Sequence, residues 1–356
     1  MEQKSVLIGM SGGVDSSVAA ALLKEQGYHV IGATMRLWTY SDSCNMKHEG
    51  CCAESAVEDA RRVCDKLGID FYVVNFKDMF KDKVVDYFVD EYIHGRTPNP
   101  CIACNKYLKF DALLKKALAM GIDYVATGHY AKIEKGEDGK YILRASEAVK
   151  KDQSYVLYNF TQEQLAHTLM PLGGYNKDWV RQKAEELGLG VAHKPDSQEI
   201  CFVEDDDYAK FITDYSGYKP KEGDILDVNG NVIGKHRGLI YYTIGQRKGI
   251  GAYGRPMFVM KIDAENNTIT LGEKGMEFSN ELTAYDVNFV SGEFPKENML
   301  ITAKVRYQAP PAAAMLCPQK DGTVKLMFPE PQRAVTPGQA VVFYDGDIVL
   351  GRGTLL

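Results

Sequence analysis

The chain has no apolar run of the roughly 18 residues that a membrane-spanning helix requires. Its first residues, Met1-Glu2-Gln3-Lys4, pass directly into a short apolar strand, without the apolar core and small-residue cleavage site of a signal peptide. Both absences point to a cytoplasmic protein with no membrane partner. Positive charge is not in excess either. The formal net charge is -6, which argues against a chain that binds RNA through overall charge and leaves room for a local basic face. There is no internal repeat and no low-complexity tract, so solenoids and disordered scaffolds are set aside.

What is present is a globular composition, 45% hydrophobic and 25% charged, over 356 residues. That length exceeds what one hydrophobic core usually serves, so two or three domains are expected. In a cytosolic setting structural disulfides are rare, and the eight cysteines lean towards catalysis or metal binding. Cys64 fits the apolar stripe Ala56, Ala60, Val63, Leu67 of a helix and reads as core. Cys317 reads as structural. Cys44, Cys51, Cys52, Cys101, Cys104 and Cys201 are the ones that ask for chemistry.

The first half alternates short apolar runs with helical periods. Ser5 to Gly9, His29 to Thr34, Phe71 to Asn75 and Tyr124 to Thr127 read as strands. Val14 to Gln26, Glu54 to Leu67, Phe80 to Ile93 and Phe110 to Met120 read as helices, the first two stopped by Gly27 and Gly68. This alternation predicts an α/β doubly wound parallel sheet with ligands at the carboxyl ends of its strands. After Cys201 the character changes. Glu204-Asp205-Asp206-Asp207 reads as a solvated helix start, and turn signals crowd the chain from Gly223. From Glu281, valine, tyrosine and phenylalanine alternate with turns such as Asp321-Gly322 and Pro337-Gly338, as in a small β-barrel. The expected domains are 1–205, a small turn-rich central unit at 206–278, and a C-terminal β-barrel at 279–356.

The most specific signal is Ser11-Gly12-Gly13-Val14-Asp15-Ser16-Ser17, which follows a strand and opens a helix. Glycines there let the backbone approach a phosphate, and the open amides of the helix start favour an anion. The loop lacks Gly-Lys-Ser/Thr, which excludes the GTPase and motor type. An ordinary β–α turn needs one or two glycines but not this whole string.

Ser-Gly-Gly-x-Asp-Ser resembles the signature of the PP-loop ATP pyrophosphatases, whose loop holds the pyrophosphate released when ATP adenylates a carbonyl oxygen. Further segments, in order along nearly the whole chain, resemble one branch, the tRNA-specific 2-thiouridylases. They are Thr97-Pro98-Asn99-Pro100-Cys101-Ile102-Ala103-Cys104-Asn105, Ala126-Thr127-Gly128-His129-Tyr130-Ala131, Lys151-Asp152-Gln153-Ser154-Tyr155, Lys194-Pro195-Asp196-Ser197-Gln198-Glu199-Ile200-Cys201-Phe202, and Tyr242-Thr243-Ile244-Gly245-Gln246-Arg247-Lys248-Gly249. Between Lys235 and Lys261 basic residues and tyrosines interleave with no acidic residue, a pattern that suits an RNA backbone with bases to stack and also suits a solvated basic face.

The resemblance implies an ATP site at Gly9, Met10, Ser11, Gly12, Gly13, Val14, Asp15 and Ser16, with Met35 on the adenine, Gly128 beside the nucleotide, and Mg2+ accompanying ATP. It implies a pocket for the flipped-out target uracil at Asn99, Pro100 and Cys101, and tRNA contacts at His129, Lys151, Asp152, Gln153, Arg306, Tyr307 and Gln339. It further implies that Cys201 carries a persulfide received from a donor, a cysteine desulfurase or sulfur-relay protein. Cys104 is then the nucleophile that resolves the transfer, by releasing the sulfur or closing a disulfide with Cys201. Cys101 stands where many relatives carry aspartate, which opens two other arrangements. One is an iron–sulfur cluster on Cys101, Cys104 and Cys201. The other is a zinc site joining Cys44, Cys51 or Cys52 to the Cys101/Cys104 pair. Two thiols suffice for one sulfur transfer, so the persulfide route is the primary expectation, with no resident metal. A small-molecule ligase or amidotransferase of the same superfamily, and a non-catalytic RNA-binding or sulfur-relay protein, are the competing classes.

Overall fold

A computed structural model of the protein describes residues 3–38, 54–148, 151–196, 200–203, 206–333 and 335–356. Cys44, Cys51 and Cys52, and with them the zinc arrangement, lie outside the described residues, as do Ser197, Gln198, Glu199, Glu204 and Asp205.

Strands β1 (Ser5–Gly9), β2 (His29–Arg36), β3 (Asp70–Asn75) and β4 (Tyr124–Ala126) pair in parallel, β1 lying between β2 and β4. The hairpin β5 (Ala131–Lys135) and β6 (Tyr141–Ala145) follows, and the two-residue β7 (Thr168–Leu169) completes the sheet in the order β3-β2-β1-β4-β7. The period-2 alternation of β1 explains why the sheet is covered twice. Val6 and Ile8 pack on helices α1 (Val14–Glu25) and α2 (Glu54–Leu67), where Cys64 is fully buried. Leu7 packs on the opposite face with Leu113, Leu114 and Ala117.

Two helical rods run beyond this sheet. Lys77–Phe80 (α3) and Tyr87–Ile93 (α4) are joined by a π-helical stretch, Lys81–Asp86. Pro100–Cys104 (α5) and Leu113–Ala119 (α6) are joined by another, Asn105–Ala112. The second rod starts ten residues before the Phe110 expected from periodicity, at Pro100. Asn99 caps it, its side chain accepting from the amides of Cys101 at 3.1 Å and Ile102 at 3.4 Å, and proline occupies the first turn. Widened π turns shift the apolar period, which hid this start in the sequence. Two short helices, α7 (Gln162–Ala166) and α8 (Lys177–Glu186), end this half.

Helix α9 (Tyr208–Ser216) is capped by Asp207, in agreement with the acidic helix start read from sequence. Beyond it β8 (Gly223–Leu226), β9 (Val232–His236), β10 (Met257–Asp263) and β11 (Thr268–Glu273) form a four-stranded sheet over Ile225, Val259, Ile269 and Leu271. The tail is a closed barrel. It comprises β12 (Phe278–Phe289), β13 (Met299–Lys304), β14 (Ala312–Pro318), β15 (Val324–Arg333), β16 (Ala340–Asp345) and β17 (Ile348–Leu355), and β12 pairs with β17 to shut it. The hairpin β5–β6 extends this barrel through β17, and Tyr155 Oη donates to Ala340 O at 2.7 Å. The barrel is thereby packed onto the α/β half, with a cleft between them.

Candidate functional site

The loop after β1 sits at the carboxyl end of the central strand. Met10 is tied on both sides to β2: its amide donates to Ala33 O and its carbonyl accepts from Thr34 Oγ1, each at 2.8 Å. Gly12 takes φ +70°, and a Cβ there would collide with the Ala56 carbonyl. Gly13 is the N-cap of α1, and no side chain caps that helix, so the first amides face the loop. Ser16 Oγ accepts from the Ser11 amide and donates to Gly13 O, both at 3.2 Å, and Ser17 Oγ donates to Gly13 O at 2.8 Å. Val14 is buried and anchors the helix start. The result is a stiff ring of amides and hydroxyls from Gly9 to Ser16, suited to an anion.

Gly128, at the end of β4, closes on this ring. A Cβ there would lie 2.7 Å from Ser16 N and 2.8 Å from the Asp15 carbonyl carbon. The close approach that requires glycine at this position is to the loop's own backbone. His129 Nδ1 is 2.7 Å from Thr127 Oγ1, and its ring sits beside Phe110. Burial, with the Lys109 cation adding to it, pushes its pKa well below the ordinary value, so the ring is neutral at neutral pH. Met35 is partly buried between two apolar clusters.

Asp15 would oppose an anion if it stood alone. It does not: Lys177 Nζ is 2.8 Å from both of its carboxylate oxygens, and Tyr130 Oη donates to Oδ1 at 2.7 Å. Lys177 also lies 2.7 Å from Asp196, which is 2.7 Å from Lys151 Nζ and 3.4 Å from Arg181. Burial alone would raise the Asp196 carboxyl, but hydrogen bonds from Lys151 and Lys177 outweigh it and hold the pKa at about 2. Two residues earlier, Lys194 Nζ donates to Gly12 O at 3.1 Å and pairs with Asp59 at 2.9 Å. Lys194 thus reaches the phosphate loop directly, and Asp196 reaches it through the Lys177 that holds Asp15.

Sequence reasoning assigned no role to Lys177, Lys194 or Asp196. One signal for Lys177 existed. It is the first residue of a helix capped by Asn176, where the helix dipole disfavours a cation unless a carboxylate meets it.

Cys104 ends α5 and is buried, and Cys201 is half-buried. Both pack in one apolar cluster with Phe88, Leu108 and Phe202. The wall of that cluster borders a cleft of about 1160 Å3, lined by Asn99, Pro100, Cys101, Ile200, Arg306, Tyr307 and Gln339 among others. The expected base pocket and three of the expected RNA contacts therefore share one cavity. Cys101 is exposed there. Lys151 stands apart, at Asp196. The side chains of Asp152 and Gln153 face inward: Asp152 accepts from the Ser146 and Ser154 amides at 3.0 and 3.1 Å, and Gln153 Oε1 from the Tyr130 amide at 2.9 Å. Among the described residues no three His, Cys, Asp or Glu side chains converge as metal ligands, and no helix is long and apolar enough to cross a membrane.

In the basic stretch, Lys235 pairs with Asp224, Arg255 with Glu273 and Lys261 with Asp263, and Tyr242 is buried. Asp224 and Glu273 come from neighbouring strands and Asp263 lies just past the end of the stretch, which is why the stretch read as uniformly basic. Arg247 and Lys248 remain exposed on the connecting turn.

Three family models match the chain: a tRNA methyl transferase HUP domain over residues 4–205, a tRNA methyl transferase PRC-barrel domain over 209–273, and an aminomethyltransferase beta-barrel domain over 279–355. The chain is 59% identical over 358 residues to the tRNA-specific 2-thiouridylase MnmA of Acetivibrio thermocellus, covering all of both chains. It is 58% identical over 354 residues to the protein of the same name from Clostridioides difficile, covering 99% of this chain and 98% of that one.

Proposed function

This chain belongs to the tRNA-specific 2-thiouridylase family, and from that premise we propose that it replaces the carbon-2 oxygen of the tRNA wobble uridine with sulfur at the expense of ATP. The observation that carries this reading is the tethering of two chemistries. Lys194, a few residues before Cys201 in the chain, is tied to the phosphate loop, Asp196 is tied to the Lys177 that holds Asp15, and Cys201 lies in the same apolar cluster as Cys104, whose wall borders the cleft. The methyl transfer in the family-model descriptions would need neither an adenylating loop nor two cysteines.

The steps are as follows. ATP, with Mg2+, is attacked by the carbon-2 oxygen of uracil. Pyrophosphate leaves, and the loop amides and hydroxyls stabilise its growing charge. Cys201 carries a persulfide delivered by a donor protein. The terminal sulfur attacks carbon 2, and AMP departs with the original oxygen. The Cys104 thiolate then attacks the Cys201 sulfur, and the electron pair of the old S–S bond goes to the sulfur on the base. The products are 2-thiouridine and a Cys104–Cys201 disulfide, which a dithiol reductant reopens. The neutral His129 beside the loop adds no charge to the nucleotide site and offers a hydrogen bond to RNA. A cluster-based route would instead need the Cys101, Cys104 and Cys201 thiolates to converge on one point.

The test is purified protein with ATP, Mg2+, a persulfide donor and unmodified tRNA, with nucleosides read by mass spectrometry. 2-Thiouridine forms with the wild type and not with Ser16→Ala, which removes the hydroxyl that ties Ser11 to Gly13 in the loop. Equal product from both would overturn the proposal.

A further inference from the structure

The same cleft carries a second set of lining residues, distinct from those around Cys101. Tyr87 on α4, Tyr107 on the π-helical stretch and Tyr285 on β12 border it, exposed by 39%, 36% and 41%. Among the described residues none of these three rings pairs with another aromatic side chain, although Lys106 Nζ lies 5.0 Å over Tyr107. Tyr87 is within electrostatic reach of Tyr107, Tyr285 and Arg96, and Tyr158 of Arg352, Tyr87 and Asp286, so these groups form one neighbourhood.

The barrel is deformed at this place. The register of β12 against β17 breaks between Tyr285 and Asn288, and Asp286 takes φ +47°. A non-glycine residue in that region is held at a cost, and such sites cluster where ligands bind. The bulge presents Tyr285 and Asp286 to the cleft and sets the Asp286 carboxylate 2.7 Å from Arg352 Nη2. Arg352 is only 7% exposed. Its Nη1 donates to Thr354 Oγ1 at 2.9 Å, its guanidinium lies 5.6 Å from the Tyr158 ring centre, and its Nε is buried with no hydrogen-bond acceptor. A buried donor without a partner is a standing penalty that an incoming acceptor would relieve.

Three cations of the lining are matched, Arg352 by Asp286, Arg96 by Glu91 at 2.5 Å and Lys83 by Asp82 at 3.0 Å, while Lys106 and Arg306 also border the cleft and suit the backbone of an RNA strand. Three partly exposed tyrosines beside these pairs suit a flat heterocycle with acceptor atoms, and the remaining cations suit the phosphates that flank it. We propose that Tyr87, Tyr107 and Tyr285, with Arg352 beneath them, form a second nucleoside subsite that stacks an unpaired RNA base flanking the nucleotide held near Cys101. This rests on the tRNA reading above.

The test uses the full-length protein and a short anticodon stem-loop RNA carrying 2-aminopurine next to the target uridine. Wild type quenches the probe on binding. Tyr285→Ala and, on a separate element, Tyr107→Ala restore its fluorescence and weaken binding about tenfold, while Tyr285→Phe stays quenched. At saturating RNA, thiolation by the alanine variants recovers, so the loss is in KM. Bound, thiolated RNA with the same fluorescence in wild type and both alanine variants overturns the subsite and leaves the tRNA reading standing. Failure of wild type to bind the stem-loop overturns both.

Discussion

Lys177 Nζ stands 2.8 Å from each carboxylate oxygen of Asp15, so a helix late in the nucleotide-binding half supplies the cation that the phosphate loop itself lacks. Without it the Asp15 charge would act on the incoming phosphates from roughly 5 Å. At an effective dielectric near 20 that is about 3 kcal/mol. Lys177→Met is therefore expected to lower ATP-dependent AMP formation by about 100-fold, with Lys177→Arg partly restoring it. A variant within twofold of wild type would show that Asp15 needs no neutralisation.

The close packing of β4 on the loop gives a steric prediction. Gly128→Ala places a methyl group 2.7 Å from Ser16 N, against backbone that cannot yield without moving the loop. Pyrophosphate release should be lost, with the circular dichroism spectrum retained and the thermal midpoint lowered in keeping with the roughly 1–3 kcal/mol cost of overpacking. Normal turnover in Gly128→Ala would mean that the loop tolerates displacement.

Asp196 yields a pH dependence. Its folded pKa of about 2 lies below the ordinary value of 3.8, so its ion pairs stabilise the protein fully above about pH 4 and are lost as pH falls towards 2. Asp196→Asn is expected to cost up to about 2 kcal/mol at pH 7. The gap in thermal midpoint between variant and wild type should narrow steadily below pH 4. A gap that stays constant down to pH 3 or widens on acidification would contradict the assignment.

Much of this was legible in sequence, for a local reason. The strand–loop–helix unit from Ser5 to Gln26 carries its own period, glycines and stop signal, and the barrel tail announces itself through alternation and turns. What was not legible depends on partners far apart in the chain. Lys177 and Asp15, or Lys194 and Gly12, meet only once the parallel sheet is assembled. The π-helical stretch after Cys104 disguised the start of its helix, and the carboxylates that neutralise Lys235, Arg255 and Lys261 sit on neighbouring strands or beyond the stretch itself.

That last point divides the central segment. Arg247→Ala and Lys248→Ala should each weaken tRNA binding and lower the salt slope by somewhat under one unit. Lys235→Ala, whose charge is already met by Asp224, should change the slope much less. Equal effects from all three would mean that the ion pair opens for RNA.

For the cysteines, Cys201→Ser should fail to accept sulfur, and Cys104→Ser should accept it but not release 2-thiouridine. Cys101→Asp should remain active. Iron and acid-labile sulfide should be absent from active, anaerobically prepared protein. Activity that disappears on iron chelation and returns on reconstitution would favour the cluster route.

The central claim is that the oxygen on carbon 2 is adenylated and then displaced by sulfur. It is tested most directly with tRNA carrying 18O at that position of the wobble uridine, incubated with the protein, ATP and a persulfide donor. The account predicts one 18O in the phosphate of AMP for every 2-thiouridine formed, and none in pyrophosphate. AMP without label alongside labelled water or pyrophosphate would contradict it.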